Sequence, residues 1–278
     1  MRTKIVFGLF MLIFAAGAFG LVRIEQQRRV EISSRKAPNV VWRAVEGWTA
    51  GDIEKDLAAK GLVNSADFEA QLKASAQSFD YLGDTPKVRS LEGYLFPDTY
   101  FLAVHPTAES VINKMLDNFK AKVTPQLQSQ IKARGFTIYQ AVTLASIVEK
   151  EVGRRSANLS AADLQTLQNE REIVAGIFIN RLNIGMPLQS DATVTYITKK
   201  NNPQATAEDL QIDSPYNTYK YKGLPPGPIS NPSLSSIEAV ANYKQTDYLY
   251  FLTKPDGTAV FAKTLDEQNA NKAKYLGR

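Results

Sequence analysis

Residues 137–151 read TIYQAVTLASIVEKE, an apolar helix with a carboxylate set into it. At about 100° per residue, Ile138, Val142 and Ala145 form one stripe with Ala141 and Val148 beside it, and Glu149 falls within that stripe. A carboxyl group held there is expected to be partly desolvated. Desolvation disfavours the ionised form and raises the pKa, which is how an enzyme keeps a general acid protonated near neutral pH. Glu151 lies about 160° further round and Lys150 about 100° round, so neither replaces Glu149 in the stripe. The competing reading of Glu149 is a buried structural carboxylate satisfied by a salt bridge.

Upstream, residues 40–45 alternate in the β-rich manner of a strand. Thr49-Ala50-Gly51-Asp52 is a capping pattern that opens a short helix with Ile53 and Leu57 on one face and Gly61 as its stop. A second short helix begins at Ser65, with Phe68 and Leu72 one turn apart. Together these make a small βαα unit, which carries both tryptophans, Trp42 and Trp48. The aromatic segment LEGYLFPDTYFL begins at Leu91, and a helix from Thr107 follows with Val111, Ile112, Met115, Leu116 and Phe119 on one face.

Downstream of the 137–151 helix, a polar stretch over residues 154–169 leads to a helix carrying Val174, Ile177 and Phe178 that ends at Gly185. A loop-rich region holds PYNTY at 215–219 and GLPPGPISNP at 223–232, and such proline-fixed segments usually position something. Residues 248–252 and 258–262 flank Lys254-Pro255-Asp256-Gly257 as a β-hairpin, and a last helix starts after Thr264. Helices and strands without regular βαβ repeats predict an α+β architecture.

The chain has 278 residues, 44% hydrophobic and 22% charged, enough to bury a sizeable core as one main domain with a smaller companion. The net charge of +5 is spread along the chain, and no basic block alternates with aromatics, so a nucleic-acid groove is not expected. There is no cysteine, and the single histidine, His105, precedes Pro106 in an expected loop. Zinc sites of the cysteine type, thiol nucleophiles and disulfide scaffolds are excluded, and a Ser-His-Asp triad would need that one histidine. Residues 5–22, IVFGLFMLIFAAGAFGLV, form an uncharged run after Arg2 and Lys4, read as a single N-terminal transmembrane helix. Ala16-Gly17-Ala18 keeps a cleaved signal peptide open as the alternative. Arg23, Arg28, Arg29, Arg35 and Lys36 follow the run, so charge counting alone does not orient it, although a large domain after a first span can translocate regardless of charge.

Six blocks carry a family resemblance: LEGYLFPDTY at 91–100, LASIVEKE at 144–151, FINRL at 178–182, IGMPLQSD at 184–191, YNTY at 216–219 and GLPPGPI at 223–229. In that order and over nearly all of residues 91–278, the chain resembles the bacterial endolytic murein transglycosylases of the MltG/YceG family. The resemblance implies a cytoplasmic tail at 1–4, a membrane anchor at 5–22, a linker at 23–39, a LysM-like module at 40–89 and an α+β catalytic domain at 90–278. It also implies attachment to the cytoplasmic (inner) membrane with the catalytic domain on the outer side. There the domain would cleave nascent peptidoglycan strands between MurNAc and GlcNAc, leaving 1,6-anhydroMurNAc ends, without metal or organic cofactor. Peptidoglycan synthases are the protein partners such an activity would meet. The module is shorter than the family's usual one, which puts independent glycan binding by it in question.

Within this resemblance the catalytic glutamate maps onto Glu149. Glu92 is a second candidate carboxylate or a structural hydrogen-bonding group. Gln189 and Asp191 could reach sugar hydroxyls or orient the acid, or serve as ordinary turn residues. Asn217 and Tyr219 could bind an N-acetyl group and stack on a sugar ring, or simply pack and cap their loop. Arg181 is either a salt-bridge partner or a ligand for stem-peptide carboxylates. The rival functions are a non-enzymatic peptidoglycan-binding or division-scaffold protein and a water-using muramidase with Glu92 or Asp191 as its second carboxylate.

Overall fold

A computed structural model describes residues 39–78, 90–152, 160–200 and 204–277. The expected anchor and most of the linker lie outside these residues, and no described helix is long and apolar enough to cross a membrane. Two short sheets and nine α-helices among the described residues give the mixed α+β architecture expected.

Strand β1 (Asn39–Arg43) pairs with β2 (Thr99–Ala103) in a two-stranded sheet. The chain divides into two compact units. One contains residues 39–41 and Phe101–Val104, the first residues of β1 and the end of β2. The other, Trp42–Tyr100 with His105–Arg278, contains every described helix and the site. In this second unit Thr49 caps α1 (Ala50–Ala59) through the full capping box with Asp52, and Ile53 and Leu57 are buried. The helix α2 (Ser65–Ser78) starts where Ser65 predicts. Trp42 is core, 1% exposed, with its indole N–H donated to Asp56 at 2.8 Å. The predicted face of α3 (Ala108–Lys122) is buried residue for residue, and Phe119 meets Tyr94 edge to face at 5.0 Å.

The centre is α5 (Ile138–Glu151), capped by Thr137 and Gln140 and buried from Ala141 through Glu149. It packs against α4 (Pro125–Ala133), α6 (Ala161–Asn183), α7 (Asp191–Thr198) and α8 (Leu234–Ala241). The helix α6 starts well before its apolar face, because Ser160 and Asp163 form a capping box and the first turns face solvent. Part of the polar stretch at 154–169 is therefore helix. Helices α4, α7 and α8 had no sequence-level counterpart. Each is short, and α7 and α8 lie in the region whose prolines and glycines suggested loops throughout. Gly176 of α6 has no room for a side chain: a Cβ there would stand 2.2 Å from the Lys244 carbonyl oxygen.

One asparagine knits the N-terminal βαα segment to the rest. Asn231 Oδ1 accepts from the amides of Gly93 and Leu95, each at 2.9 Å, and its Nδ2 donates to Trp48 O and Glu92 Oε1. Its backbone also pairs with Gly47 and Trp48. All of these partners are buried or half-buried, so every polar group of the residue is satisfied. Downstream, β3 (Tyr250–Thr253) and β4 (Ala259–Ala262) form the expected antiparallel hairpin, in the register Tyr250 to Ala262 and Thr253 to Ala259. Gly257 takes the positive φ of 84° that its turn requires. The final helix, α9 (Leu265–Leu276), is capped by Thr264.

Candidate active site

The two glutamates at the end of α5 face different surroundings. Glu149 is 7% exposed. Its Oε2 accepts from the Ser233 amide at 2.8 Å, the Ser233 hydroxyl at 2.5 Å and the Ser236 hydroxyl at 2.8 Å. Ser233 is the N-cap of α8, so this carboxylate caps a helix start and meets the positive end of its dipole. Three donors thus converge on one oxygen of this carboxyl group. On another side the turn after β1 closes in, since a Cβ on Gly47 would lie 3.4 Å from Glu149 Cγ. The apolar stripe that singled Glu149 out turns it toward protein, outside the lining of the cavity that Glu151 reaches. Serines and a helix terminus hold Glu149, and the buried Arg171 guanidinium is near enough to interact with its charge.

Glu151 is the carboxylate that reaches a cavity. It lines a space of about 300 Å³ together with Val152, Glu170 and Val174 of α6, and the β3–β4 hairpin through Phe251, Thr253, Pro255, Asp256, Gly257 and Ala259. The Ser190 hydroxyl donates to Glu151 Oε1 at 2.5 Å. Burial pushes the Glu151 carboxyl above the ordinary glutamate range, and the nearby negative charge of Asp191 adds to this. The bond from Ser190 and the charge of Arg181 oppose the shift. A carboxyl on a cavity wall whose pKa burial raises is the arrangement expected of a general acid.

Arg181 is 7% exposed and spends its donors on backbone, Nε to Leu249 O at 2.7 Å and Nη1 to Leu188 O at 2.6 Å. Its guanidinium also lies 5.3 Å from the Tyr250 ring centroid. It serves as a fixed positive charge beside Glu151, with no salt bridge among the described residues. Tyr219 donates its hydroxyl to Asp191 at 2.6 Å, so both of these candidates stand near the acid. Gln189 is exposed beside Ser190 and holds a left-handed backbone, φ 51°, a conformation that costs energy for a non-glycine residue. Its amide is tied to Thr218 O at 3.1 Å.

Two candidates hold the fold instead. Asn217 is fully buried, with Nδ2 donating to Leu210 O and Ile212 O and Oδ1 accepting from the Tyr219 amide, which leaves little for a sugar. Glu92 accepts from the Ala50 amide at 3.0 Å and from Asn231, and burial pushes its carboxyl up to about 8. It caps α1 from across the molecule, which is the structural role anticipated as its alternative. His105 is exposed.

Sequence reasoning set Glu151 aside because it lies off the apolar stripe, and did not single out Ser190 or Glu170. Glu151 carried a signal of its own: a helix-terminal carboxylate off the buried stripe is the one free to face an opening. Glu170 gave none, because it stands directly after the polar stretch at 154–169, ahead of the apolar residues that marked the helix. It is 6% exposed and accepts from the Ala259 amide at 3.2 Å, linking α6 to β4 across the cavity.

The profile of the YceG-like family matches residues 22–274. This chain belongs to the YceG-like family. Among its relatives is an endolytic murein transglycosylase of Bacillus subtilis (strain 168), 41% identical over 187 residues, which covers 67% of this chain and 48% of that protein. An endolytic murein transglycosylase of Streptococcus pneumoniae serotype 2 is 33% identical over 242 residues, covering 83% of this chain and 41% of the relative. The YceG-like chain therefore spans about half or less of the length of these curated relatives. The crystal structure of a yceG-like protein from Listeria monocytogenes superimposes with a TM-score of 0.68 at 32% identity, covering 84% of this chain and 75% of that one.

Proposed function

We propose that this protein is an endolytic peptidoglycan lytic transglycosylase in which Glu151 serves first as acid and then as base. The observation that carries the reading is Glu151 itself, a carboxyl raised by burial on the wall of a cavity and held by Ser190. The names of the relatives supply the substrate class, murein. In the proposed reaction Glu151 gives its proton to the oxygen linking MurNAc C1 to GlcNAc, and the C1–oxygen bond breaks. The C6 hydroxyl of the same MurNAc then closes on C1 while its proton passes to the Glu151 carboxylate, restoring the acid. No water enters, so one carboxyl group suffices, and the intramolecular attack already has favourable entropy. The resemblance alone points to Glu149; the donors that enclose Glu149 and the cavity beside Glu151 favour Glu151 as the acid.

Glu170 lies on the same cavity, and a second carboxylate there keeps the water-using muramidase as the rival reading. Mass spectrometry of digested glycan strands separates the possibilities. Products ending in 1,6-anhydroMurNAc support the transglycosylase, reducing ends support the muramidase, and uncut strands support a scaffold.

Residues 5–22 are proposed as the anchor in the cytoplasmic membrane, with residues 1–4 inside and the domain outside, where peptidoglycan and its synthases are. The uncharged run after Arg2 and Lys4 supports this. The segment at 40–89 is proposed as a shortened LysM-like module that orients strands, supported by its strand and two helices. A fragment from Asn39 onward should be soluble and still cut strands; one that folds without cutting, while the whole protein cuts, would assign part of the site to the anchor or linker.

A further inference from the structure

The start of α7 departs from the other helices of this protein. Thr49, Thr107, Thr124, Thr137, Ser160, Ser233 and Thr264 each stand at an N-cap and accept a bond from an amide in the first turn of their helix. Ser190 stands at the N-cap of α7 with an extended backbone and makes no such bond. Its hydroxyl is instead donated to Glu151 Oε1. A serine in the position that favours capping thus forgoes a stabilising bond to its own helix to reach a carboxylate 39 residues away.

The backbone of Ser190 is held in place for this. Its amide donates to Thr218 Oγ1 at 3.1 Å, its carbonyl accepts from Thr193 Oγ1 at 2.7 Å, and the two threonine hydroxyls meet at 2.8 Å. Because Thr193 has given its proton to the Ser190 carbonyl, Thr218 is the donor between the threonines, and the bonds close into a directional ring. Ser190, Thr193 and Thr218 are each 2% exposed or less. The neighbouring Gln189 takes a left-handed backbone and is tied to Thr218 O, so the strain of φ 51° falls on the residue that leads into the ring.

We infer that Ser190 is the positioning residue of the acid: its hydroxyl fixes Oε1 of Glu151 and leaves Oε2 as the oxygen that carries the proton to the substrate. This rests on the proposed role of Glu151. An oxygen that accepts a short hydroxyl bond is the carbonyl-like one of a carboxylic acid, so the acidic hydrogen resides on the other. Asp191 of α7, Arg181 and Glu170 of α6, and Asp256 at the hairpin turn are the charged groups around Glu151, with the hydroxyls of Tyr219 and Tyr250 beside Arg181. Among the described residues Ser190 donates the hydrogen bond to the carboxyl, and the donors of Arg181 are engaged by backbone.

The test uses the full-length protein and the pH dependence of strand cleavage. Ser190→Ala removes the donor, so kcat should fall about 10- to 100-fold through lost alignment, with KM changing far less. The same change removes a bond that favours the ionised form, so the limb where activity falls should move to higher pH. Ser190→Thr keeps the hydroxyl and should restore both. If Ser190→Ala does not fold, as judged by circular dichroism, Ser190→Cys takes its place, since the thiol is a poorer donor and should move the limb in the same direction. Glu151→Gln runs alongside: full activity in that folded variant overturns the acid role itself. With Glu151→Gln inactive, an unmoved limb and undiminished kcat in Ser190→Ala, or in Ser190→Cys if that is used, overturn the positioning role alone.

Discussion

Exchanging each glutamate of α5 for glutamine should separate stability from chemistry. In Glu149→Gln the amide oxygen replaces a carboxylate oxygen that accepts three donors at the start of α8, and the group is 7% exposed. Hydrogen bonds to charged groups contribute about 1.5–3 kcal/mol each, and a neutral amide keeps only part of that. Adding the lost charge at the helix terminus, the cost comes to about 3–5 kcal/mol. For a domain of this size each kcal/mol lowers Tm by roughly 2–4 °C, so the melt should drop by about 6–20 °C. Glu151→Gln loses no more than the charge assistance of one bond and also loses a charge that burial disfavours, so its stability should stay within about 1 kcal/mol of wild type. Activity should show the reverse. Glu151→Gln cannot donate a proton and should fall about a thousandfold or more, equivalent to about 4 kcal/mol of barrier, whereas folded Glu149→Gln should still cut. Thermal melts by circular dichroism and release of anhydro-ended fragments provide the two measurements. A Glu149→Gln protein that melts like wild type yet is inert, beside an active Glu151→Gln, would refute the assignment.

Wild-type activity should decline as pH rises through the Glu151 pKa, because the proton must be present. Since burial raises that pKa, the limb belongs above the ordinary glutamate value of about 4.3, and a limb at or below it contradicts the buried setting. Glu92 links pH to stability: its folded pKa of about 8 exceeds the ordinary 4.5, so its contribution is full below about 4.5 and is lost as pH rises through about 8. At 1.36 kcal/mol per unit this amounts to at most about 5 kcal/mol, and chemical denaturation at pH 5 and pH 9 should show wild type losing ground to Glu92→Gln. A constant difference between the two proteins across that window would count against it. Gly176→Ala must push its Cβ away from the Lys244 carbonyl and should cost about 1–3 kcal/mol; an unchanged melting temperature would show that the approach is looser than 2.2 Å.

The elements legible in the sequence were those with a long apolar face or a strong cap. Thr49 with Asp52, the Thr107 helix, the stripe of α5 and the hairpin around Gly257 all formed as their residues predict. The short helices α7 and α8 were not legible, since each is eight residues long and owes its existence to packing on α5. That omission carried through to the site. Without α8 there was no helix terminus for Glu149 to cap, and without α7 there was no N-cap serine to diagnose beside Glu151. Helical periodicity located the buried face correctly, but burial against protein and burial at a cavity edge look alike in a single helix. Glu92 was singled out as a second carboxylate and Asn217 as a group able to bind an N-acetyl group, and both use their polarity to satisfy backbone amides or carbonyls.

Asn231 joins residues near position 48 and residues 92–95 to a point 183 and about 139 residues further along the chain. During synthesis at about 5–20 residues per second, the gap between Trp48 and Asn231 takes roughly 10–40 s to fill. Until then the turn after β1, the Glu92 loop and the cap on α1 wait with open hydrogen-bonding groups, and Glu149 waits equally for Ser233. Loop closure over such separations is slow relative to local helix formation. The chain consequently assembles its acid-bearing helix against a frame that is completed only once residue 231 has been made, so a product truncated before it would lack both the clasp and the cleft.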